Sequence, residues 1–384
     1  MRRKIAIGAA FVAGSVITGT VGWSGHALAL PVSVAFPGLW AFSPSRVVAA
    51  LVAAGYFLGA SRGLPVGASI FFGEQLLFGI AVWLAASIFF VAIHAVFWTA
   101  KAGWHRPLRY AIAMILMSLP PLGITGWASP ITAAGILFPG WGWLGLAAAA
   151  AGLLLMTTRI LPIAALVLAG FHVWSAVSWA PPVVPEGWVE INTEFKVTEA
   201  GGFANYVQHL ETIALVKDAA AHGAKAVVLP ESALGVWSRT RERLWRQELD
   251  GFDVNVIGGA ALADPVGYDN AMVEISAIGS RILYKERMPV PVSMWQPWRT
   301  GGARAHFFAN PLVHFAGLRV APLICYEQLI VWPVLQSMLH RPEVIIAIIN
   351  GWWTGGTNIV AIQRASARAW ASLFGLPLVL AVNV

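Results

Sequence analysis

Long apolar runs fill the first half of the chain, whereas short apolar runs alternate with polar segments in the second half. Runs near the length that crosses a bilayer, about 20 residues, are clearest at 5–21, 76–99 and 160–179. Weaker runs, several of them interrupted by proline, lie at 27–42, 47–60, 110–124 and 143–156. The hydropathy pattern therefore predicts about seven membrane-crossing helices, and we place them in a transmembrane domain at residues 1–180.

The distribution of charge supports a division into two domains. Residues 1–180 contain nine Lys or Arg side chains and a single carboxylate, Glu74, whereas residues 181–384 contain sixteen basic and seventeen acidic side chains. The formal net charge of +7 therefore comes from loops beside the membrane, and no basic face indicates a nucleic-acid partner.

The positions of the basic loops predict the orientation. If the N-terminal residues 2–4 are cytoplasmic, seven crossings leave most of the other basic residues of this half on the cytoplasmic side, as the positive-inside tendency requires. These residues are Arg46, Lys101, Arg106, Arg109 and Arg159. The second domain, residues 181–384, is then extracytoplasmic, which means periplasmic at the inner membrane of a Gram-negative cell.

The second half follows a proline-containing linker at 181–185 and mixes strand and helix patterns. Unbroken or alternating apolar runs predict strands at 188–192, 226–229, 254–258, 271–276, 281–284, 312–315, 318–324, 344–349 and 378–382. Amphipathic spacing predicts helices at 203–222, 329–339 and 359–374. Strand pairs combined with crossover helices indicate an α/β layered domain.

Three polar residues follow predicted buried strands, and these are Glu231, Lys285 and Cys325, the only cysteine. Strand ends on one edge of a sheet converge, so we expect the three side chains to meet in one crevice. Such a group suits acyl transfer, with Glu231 as general base, Lys285 as oxyanion stabiliser and Cys325 as nucleophile. Taken singly, however, an isolated cysteine is more often a buried small hydrophobe. Glu231 taken alone is also consistent with a helix-cap residue, and Lys285 with a solvated surface cation.

Metal and cofactor sites are not indicated. The nine histidines lack ligand spacing such as H-E-x-x-H, and one cysteine cannot build a thiolate zinc site. The glycine pattern at 140–145 has the spacing of a dinucleotide-binding loop, but no predicted strand precedes it. We therefore predict no cofactor and no metal.

The residues around the three candidate positions resemble a known family. Segments 229–232, 284–291 and 324–327 look like the three catalytic motifs of the nitrilase, or carbon-nitrogen hydrolase, superfamily. Residues 350–353, Gln363, residues 367–369 and residues 377–383 resemble its apolipoprotein N-acyltransferase branch, which also has a membrane half before the hydrolase-like domain. A plasmid-encoded conjugal-transfer relative of that acyltransferase resembles the chain most closely.

This resemblance implies an α-β-β-α sandwich with Glu231, Lys285 and Cys325 at one end of its sheets. It also implies a phospholipid as acyl donor, a protein or peptide amine as acceptor, and a role in conjugation or in envelope lipoprotein modification. Glu327 would be a second carboxylate that holds Lys285 in place, and the backbone N–H of Tyr326 would add an oxyanion donor.

Two departures from the acyltransferase pattern are visible. Residues 291–295 contain no glutamate where that branch carries one, and the branch continues beyond the position of Val384. We expect either a shortened branch or a piece of a longer chain.

Three functions stay open: a membrane acyltransferase or amidase with a cysteine nucleophile, a catalytically silent envelope scaffold for conjugation, and a transporter or channel to which a soluble domain is attached. A single carboxylate in the apolar half argues against an ion path and so against the transporter. The sequence leaves the oligomeric state open.

Overall fold

The computed structural model describes residues 2–196 and 202–384, and the chain forms two compact units. The first unit consists of Met1–Pro182, Leu329–Trp332 and Gly356–Gly375. The second unit consists of Val183–Gln328, Pro333–Gly355 and Leu376–Val384. The division at Pro182 lies close to the predicted boundary at residue 180. In addition, two segments from the second half of the sequence belong to the first unit.

The first unit is helical. Its α-helices up to residue 182 are α1 (Arg2–Gly22), α2 (Phe36–Ala41), α3 (Arg46–Ala60), α4 (Leu64–Phe72), α5 (Leu76–Phe97), α6 (His105–Leu116), α7 (Ala134–Leu137), α8 (Gly142–Leu155) and α9 (Leu161–Val177). Short 3-10 helices connect several of them, at Ala27–Ala35, Leu122–Thr125 and Pro130–Ala133. The apolar run predicted at 27–42 is therefore a 3-10 helix followed by the short α2, with Pro31 and Pro37 inside these elements.

Two of the described helices, α1 and α5, are long and apolar enough to cross a membrane. Helices α3 and α4 meet the same criterion as a pair bent by 61° and so provide a third candidate span. The segments Ala27–Ala41, Gly142–Leu155 and Leu161–Val177 are apolar but shorter. The predicted spans at 5–21 and 76–99 thus coincide with candidate spans, while the total of seven crossings stays a prediction.

Glycines let α1 and α3 approach closely. A Cβ atom on Gly19 would lie 2.1 Å from the carbonyl oxygen of Tyr56, and one on Gly59 would lie 2.7 Å from that of Val16. Small residues at such contacts bring two helix backbones together, which is how apolar helices gain packing energy in lipid. The indole N–H of Trp23 donates to the Tyr56 hydroxyl at 2.9 Å and so fixes the C-terminal end of α1 against α3.

The second unit contains two sheets. The strands are β1 (Trp188–Glu190), β2 (Ala226–Val228), β3 (Asn255–Ala263), β4 (Tyr268–Ser276), β5 (Gly279–Lys285), β6 (Val313–Phe315), β7 (Leu318–Ile324), β8 (Val344–Asn350) and β9 (Leu378–Asn383). The first sheet has the order β1-β2-β3-β4-β5 and the second the order β6-β7-β8-β9. The pairs β1/β2, β2/β3, β7/β8 and β8/β9 are parallel, and the others are antiparallel.

One hydrophobic core lies between the two sheets and another lies on the outer face of the first sheet. The inner core includes Ile257 and Met272 from the first sheet and Ile324 and Ile346 from the second. The outer core packs α10 (Phe203–Ala221) and α11 (Arg239–Glu248) against β2, β3 and β4. A further helix, α12 (Val331–Met338), follows the 3-10 turn after β7. The predicted α/β fold class is confirmed.

Helix α13 (Ile359–Phe374) has the same limits as the helix predicted at 359–374, and it belongs to the first unit. A Cβ atom on Gly135 of α7 would lie 1.7 Å from the carbonyl oxygen of Ala369, so the two backbones touch. Before α13 begins, the Asn358 amide donates to the carbonyl oxygen of Trp23 at 3.0 Å. The segment after β8 is thus part of the packing of the helical unit.

Candidate active site

Cys325 lies at the end of β7, where the chain turns sharply into a 3-10 helix over Cys325–Leu329. Its φ angle is +46°, in the left-handed region that residues other than glycine rarely adopt. Such a strained residue persists only where the surrounding structure fixes it, and functional sites are common places for it. The thiol is buried, with 6% of the residue exposed, at the edge of the inner core.

Glu231 contacts Cys325. It follows β2 through Leu229 and Pro230, and its carboxylate forms a side-chain hydrogen bond with the Cys325 thiol. Oε1 also accepts from the Asn270 amide at 2.7 Å, and Oε2 accepts from the backbone N–H of Asn350 at 2.9 Å. Burial raises the pKa of Glu231, and these hydrogen bonds oppose the rise. The pair has the contact that a general base and a thiol nucleophile need.

Gly259 on β3 makes room for this carboxylate. A Cβ atom there would lie 2.5 Å from the Cα of Glu231, which is closer than two such atoms can approach. The N–H of Gly259 also donates to the carbonyl oxygen of Pro230 at 3.1 Å. The position of Glu231 therefore depends on a glycine in the neighbouring strand.

Lys285 lies on the face of the first sheet that is turned away from Glu231 and Cys325. Its ammonium is 2.7 Å from Asp269 Oδ2, and the same carboxylate lies 2.8 Å from His306 Nε2 and 3.6 Å from an Arg304 nitrogen. Burial would raise the pKa of Asp269, but the hydrogen bonds from Lys285 and His306 outweigh it and lower that pKa. The structure therefore brings Glu231 and Cys325 together, as predicted, but does not bring Lys285 to them.

A β-bulge in β5 explains the direction of Lys285. Met272 pairs with Tyr284 whereas the next residue, Val273, pairs with Ile282, so Leu283 is an extra residue in β5. If every residue of β5 were paired in turn, the side chains would alternate from the outward, half-exposed Ile282, and Lys285 would face inward. Because Leu283 is unpaired, the alternation is reversed after it. Met272 and Tyr284 belong to the core between the sheets, and Lys285 consequently faces outward.

Glu286 takes the inward position. Its backbone N–H donates to the carbonyl oxygen of Asn270, and its side chain is buried, with 1% of the residue exposed. Oε2 accepts from the same Asn270 amide nitrogen that donates to Glu231, at 2.9 Å. Oε1 has no hydrogen-bond partner among the residues that the structure describes. Burial, and then the charges of Glu327 and Glu231, raise the pKa of Glu286 well above its ordinary value.

Glu327 connects the end of β7 with the end of β5 and the residues that follow it. Its Oε2 accepts from the N–H of Ile324 at 2.8 Å, and its Oε1 accepts from the Tyr284 hydroxyl at 2.6 Å and from the Arg287 N–H at 2.8 Å. The Arg287 guanidinium is fully buried and binds Gln336, Ser337 and the carbonyl oxygen of Pro322. Glu327 thus positions the end of β7 through Tyr284 and Arg287, and not through Lys285 as the resemblance implied.

Tyr326 is half-buried beside Cys325. The donor role of its backbone N–H stays a prediction. Within the part of the chain that the structure describes, no group of three or more His, Cys, Asp or Glu side chains is arranged to hold a metal ion.

A cavity of about 370 Å³ adjoins Glu231 in the second unit, and most of the residues that line it have polar or charged side chains. Thr212, Arg241 and Asn350 contribute to this lining, as does His209, whose Nε2 has no partner among the described residues. Burial, and then the charge of Arg241, lower the pKa of His209 to about 4. At neutral pH the cavity therefore offers a neutral imidazole, a guanidinium and amide groups next to the candidate base.

Comparison with known proteins identifies the family. The conjugal transfer protein TraB of Agrobacterium fabrum is 56% identical over 384 residues, an alignment that covers 96% of this chain and 91% of that protein. The "Probable conjugal transfer protein TraB" of Sinorhizobium fredii is 56% identical over 374 residues, with 96% of each chain covered. This chain belongs to the TraB family. The profile of the carbon-nitrogen hydrolase family also matches residues 247–372, which include Glu286 and Cys325.

Two solved structures are among those to which this TraB-family chain is similar. An amidase of the nitrilase superfamily from Nesterenkonia AN1 covers 52% of this chain and 78% of its own, with 13% identity and a TM-score of 0.38. Saccharomyces cerevisiae Nit3 covers 51% and 76%, with 12% identity and a TM-score of 0.38. The profile match at residues 247–372 agrees with the superfamily that the three sequence motifs suggested.

Sequence reasoning missed Glu286 and Asn270. The signal for Glu286 was its distance of two residues from Tyr284, a large aromatic residue that belongs in a core. Asn270 has no comparable signal, because an amide in a strand is usually assigned to the solvent face.

Proposed function

We propose that this TraB-family protein is a membrane-anchored enzyme that transfers an acyl group through a thioester on Cys325. The observation that carries the proposal is the hydrogen bond between the buried Glu231 carboxylate and the Cys325 thiol. A thiol needs a base to become an effective nucleophile, and Glu231 is in direct contact with it. The two-unit architecture with candidate membrane spans supports action at a membrane.

The reaction balances with these two groups. Glu231 removes the proton from the Cys325 thiol, and the thiolate attacks the carbonyl carbon of an ester or amide. A carbon–sulfur bond forms while the carbonyl oxygen gains negative charge. The bond to the leaving group then breaks, and Glu231 returns its proton to that group. A thioester remains on Cys325. An amine, or water, then attacks the thioester carbon and gives a proton to Glu231. The carbon–sulfur bond breaks, Glu231 returns the proton to the sulfur, and an amide or a carboxylic acid leaves with the thiol restored.

The chemical class of the substrates is part of the proposal. A membrane phospholipid would be the acyl donor and a protein or peptide amine the acceptor, in plasmid conjugal transfer or in modification of envelope lipoproteins. The polar side chains among the residues that line the cavity beside Glu231 favour a hydrogen-bonding group on one of the two substrates. The enzyme would work in the inner membrane with its second unit in the periplasm.

A direct test uses the full-length protein in detergent and intact-protein mass spectrometry. We expect p-nitrophenyl butyrate to add one butyryl group to the wild type and none to Cys325→Ala. Vesicles of phosphatidylethanolamine should transfer a fatty acyl group to the same residue. Glu343→Gln, which changes an exposed carboxylate paired with Arg319, is the matched control and should acylate like the wild type. Absence of a Cys325-dependent adduct from both probes would contradict the proposal.

A catalytically silent scaffold for conjugation is the second candidate. The outward direction of Lys285 favours it, because the site then lacks the cation that was expected to stabilise an oxyanion. The scaffold predicts that Cys325→Ala supports conjugal transfer as well as the wild type in a mating assay. The enzyme hypothesis predicts that this substitution abolishes the protein's contribution to conjugal transfer.

A further inference from the structure

The buried oxygen of Glu286 needs an explanation that the Glu231–Cys325 pair does not provide. Buried polar atoms normally have hydrogen-bond partners, and leaving one unsatisfied costs about 1 to 3 kcal/mol. Glu286 Oε1 has no partner among the described residues, although Oε2 of the same carboxyl accepts from Asn270. An unsatisfied group in a reactive site is where a ligand would bind.

The surroundings of Glu286 determine which ligand atom fits. Glu231 and Glu286 accept hydrogen bonds from one amide nitrogen of Asn270, at 2.7 Å and 2.9 Å, so the two carboxyl groups are neighbours. The other ionisable groups whose charge acts on this pair are Glu327 and Tyr268, and both add negative charge when ionised. Lys285 faces away and binds Asp269, and Arg287 is bound to the Tyr284 hydroxyl, Gln336, Ser337 and the carbonyl oxygen of Pro322.

These neighbours favour a protonated Glu286. Two adjacent buried carboxylates repel each other, and in such pairs one member keeps its proton. Glu231 is the better anion because Asn350 and the Cys325 thiol also donate to it. Glu286 has one hydrogen-bond donor, Asn270, so it is the member that keeps the proton. Because Oε2 accepts from Asn270, the free Oε1 is the oxygen that carries this proton.

We propose that Glu286 is a neutral carboxylic acid whose Oε1–H donates a hydrogen bond to the carbonyl oxygen of the acyl substrate at Cys325. This assignment rests on the proposed function and adds a further catalytic residue to it. The proton stays on Glu286 throughout, and its hydrogen bond strengthens as the carbonyl oxygen becomes an oxyanion. Apolar protein sites are known to keep carboxylic acids neutral at pH 7 for such a role. The acid would thus fill the role that the sequence assigned to Lys285.

The experiment compares Glu286→Gln with Glu286→Ala in acylation of Cys325 by p-nitrophenyl butyrate. The glutamine amide is a neutral donor of similar shape, so Glu286→Gln should stay within a few-fold of the wild type. Glu286→Ala removes the donor and should slow acylation about 10²- to 10³-fold, as loss of one oxyanion donor does. The wild-type rate should also fall at alkaline pH when Glu286 ionises, whereas Glu286→Gln should lack this alkaline decrease.

A second measurement reports the proton without any substrate. The infrared spectrum of the wild type at neutral pH should contain a protonated-carboxyl band that is absent from Glu286→Gln and present in the control Glu343→Gln. Thermal unfolding of each variant establishes that it is folded. If the band persists in Glu286→Gln, Glu286 is not the protonated group, and the proposal is overturned.

The outcomes separate the two proposals. Equal, severe slowing in Glu286→Gln and Glu286→Ala would mean that the site needs a carboxylate, and wild-type rates in Glu286→Ala would mean that no donor is needed. Either result would overturn the role of Glu286 while leaving thioester formation intact. A wild type that forms no Cys325 adduct would instead overturn the proposed function, and with it the donation to a substrate.

Discussion

Lys285 and Glu286 are consecutive in the chain but face opposite sides of the first sheet. Lys285 binds Asp269 on the outer side at 2.7 Å, whereas Glu286 shares the Asn270 amide with Glu231 on the inner side. The extra residue Leu283 produces this exchange of faces. The positive charge of Lys285 that the sequence predicts for the site is therefore held outside it, and a proton-bearing acid, Glu286, lies inside.

Lys285→Met should leave acylation of Cys325 within a few-fold of the wild-type rate. The half-exposed ion pair with Asp269 contributes little, so we expect a loss of about 0.5 to 1 kcal/mol in the free energy of unfolding. Lys217→Met, which removes a similar ion pair with Glu248, is the matched control. A 100-fold slower acylation in Lys285→Met alone would restore the catalytic role that the sequence predicted.

Glu231→Gln should abolish most of the acylation because glutamine cannot accept the thiol proton. General bases commonly contribute roughly 10²- to 10⁴-fold, and we expect a loss in that range. The rate of butyryl transfer from p-nitrophenyl butyrate measures it, with Glu343→Gln as control. If Glu231→Gln acylates at the wild-type rate, another group removes the proton and Glu231 only positions the loop.

Gly259→Ala should damage the site through its backbone. The new Cβ atom would lie 2.5 Å from the Cα of Glu231, so either β3 or the segment that carries Glu231 must move, at a cost of about 1 to 3 kcal/mol. Gly279→Ala is the matched control, because a Cβ atom there meets nothing within 4 Å. Gly259→Ala should unfold at a lower temperature and acylate Cys325 more slowly than the wild type, whereas Gly279→Ala should match the wild type in both. Equal behaviour of the two variants would contradict the close approach.

His209 should make stability depend on pH. Burial lowers its pKa from 6.5 to about 4, so between these values the unfolded chain binds more protons than the folded one. Its contribution is complete above pH 6.5 and is lost as the pH falls through 4. Unfolding midpoints measured at pH 7 and pH 5 should differ less in His209→Gln than in the wild type. Substitution of the exposed His340 should leave that difference unchanged, and an equal effect of the two substitutions would refute the assignment.

Membrane orientation is tested by reporter fusions. Seven crossings predict that alkaline phosphatase fused after Pro182 is active, since the reporter is then periplasmic. A fluorescent-protein fusion at the same place, which folds only in the cytoplasm, should remain dark. The reverse pattern would require an even number of crossings, such as a count in which only α1 and α5 span the membrane.

Much of the fold follows from local pattern. Helix α13 has the limits predicted for it, and the apolar run at residues 344–349 is the buried strand β8. These elements could be predicted because their apolar residues recur regularly and their ends are marked in the sequence. Gly375, which follows α13 with a φ of +63°, is such an end marker. The run at 27–42 was misleading because its composition is apolar enough for a membrane helix while Pro31 and Pro37 divide it into shorter elements.

The site was only partly predictable for a different reason. Glu231 and Cys325 each follow a buried strand that has a parallel neighbour, and this position marked them as candidate site residues. However, β2 and β7 belong to different sheets, so the contact between the two side chains depends on how the sheets face each other and not on one sheet edge. The face of Lys285 depends on a bulge, and consecutive apolar residues at 282–284 hide which of them is the extra one. Asn270 and Asn350 act through an amide and a backbone N–H, and neither kind of contact leaves a mark in a single sequence.

The bulge at Leu283 makes the electrostatic sign of the pocket a matter of strand register. If Leu283 paired with Met272 in place of Tyr284, the register would shift by one residue, and Lys285 would face inward and Glu286 outward with no substitution at either position. Such a slip would convert a proton-donating crevice into a cationic one. The contacts that keep Tyr284 opposite Met272 therefore decide the chemistry of the site as much as the residues beside Cys325 do.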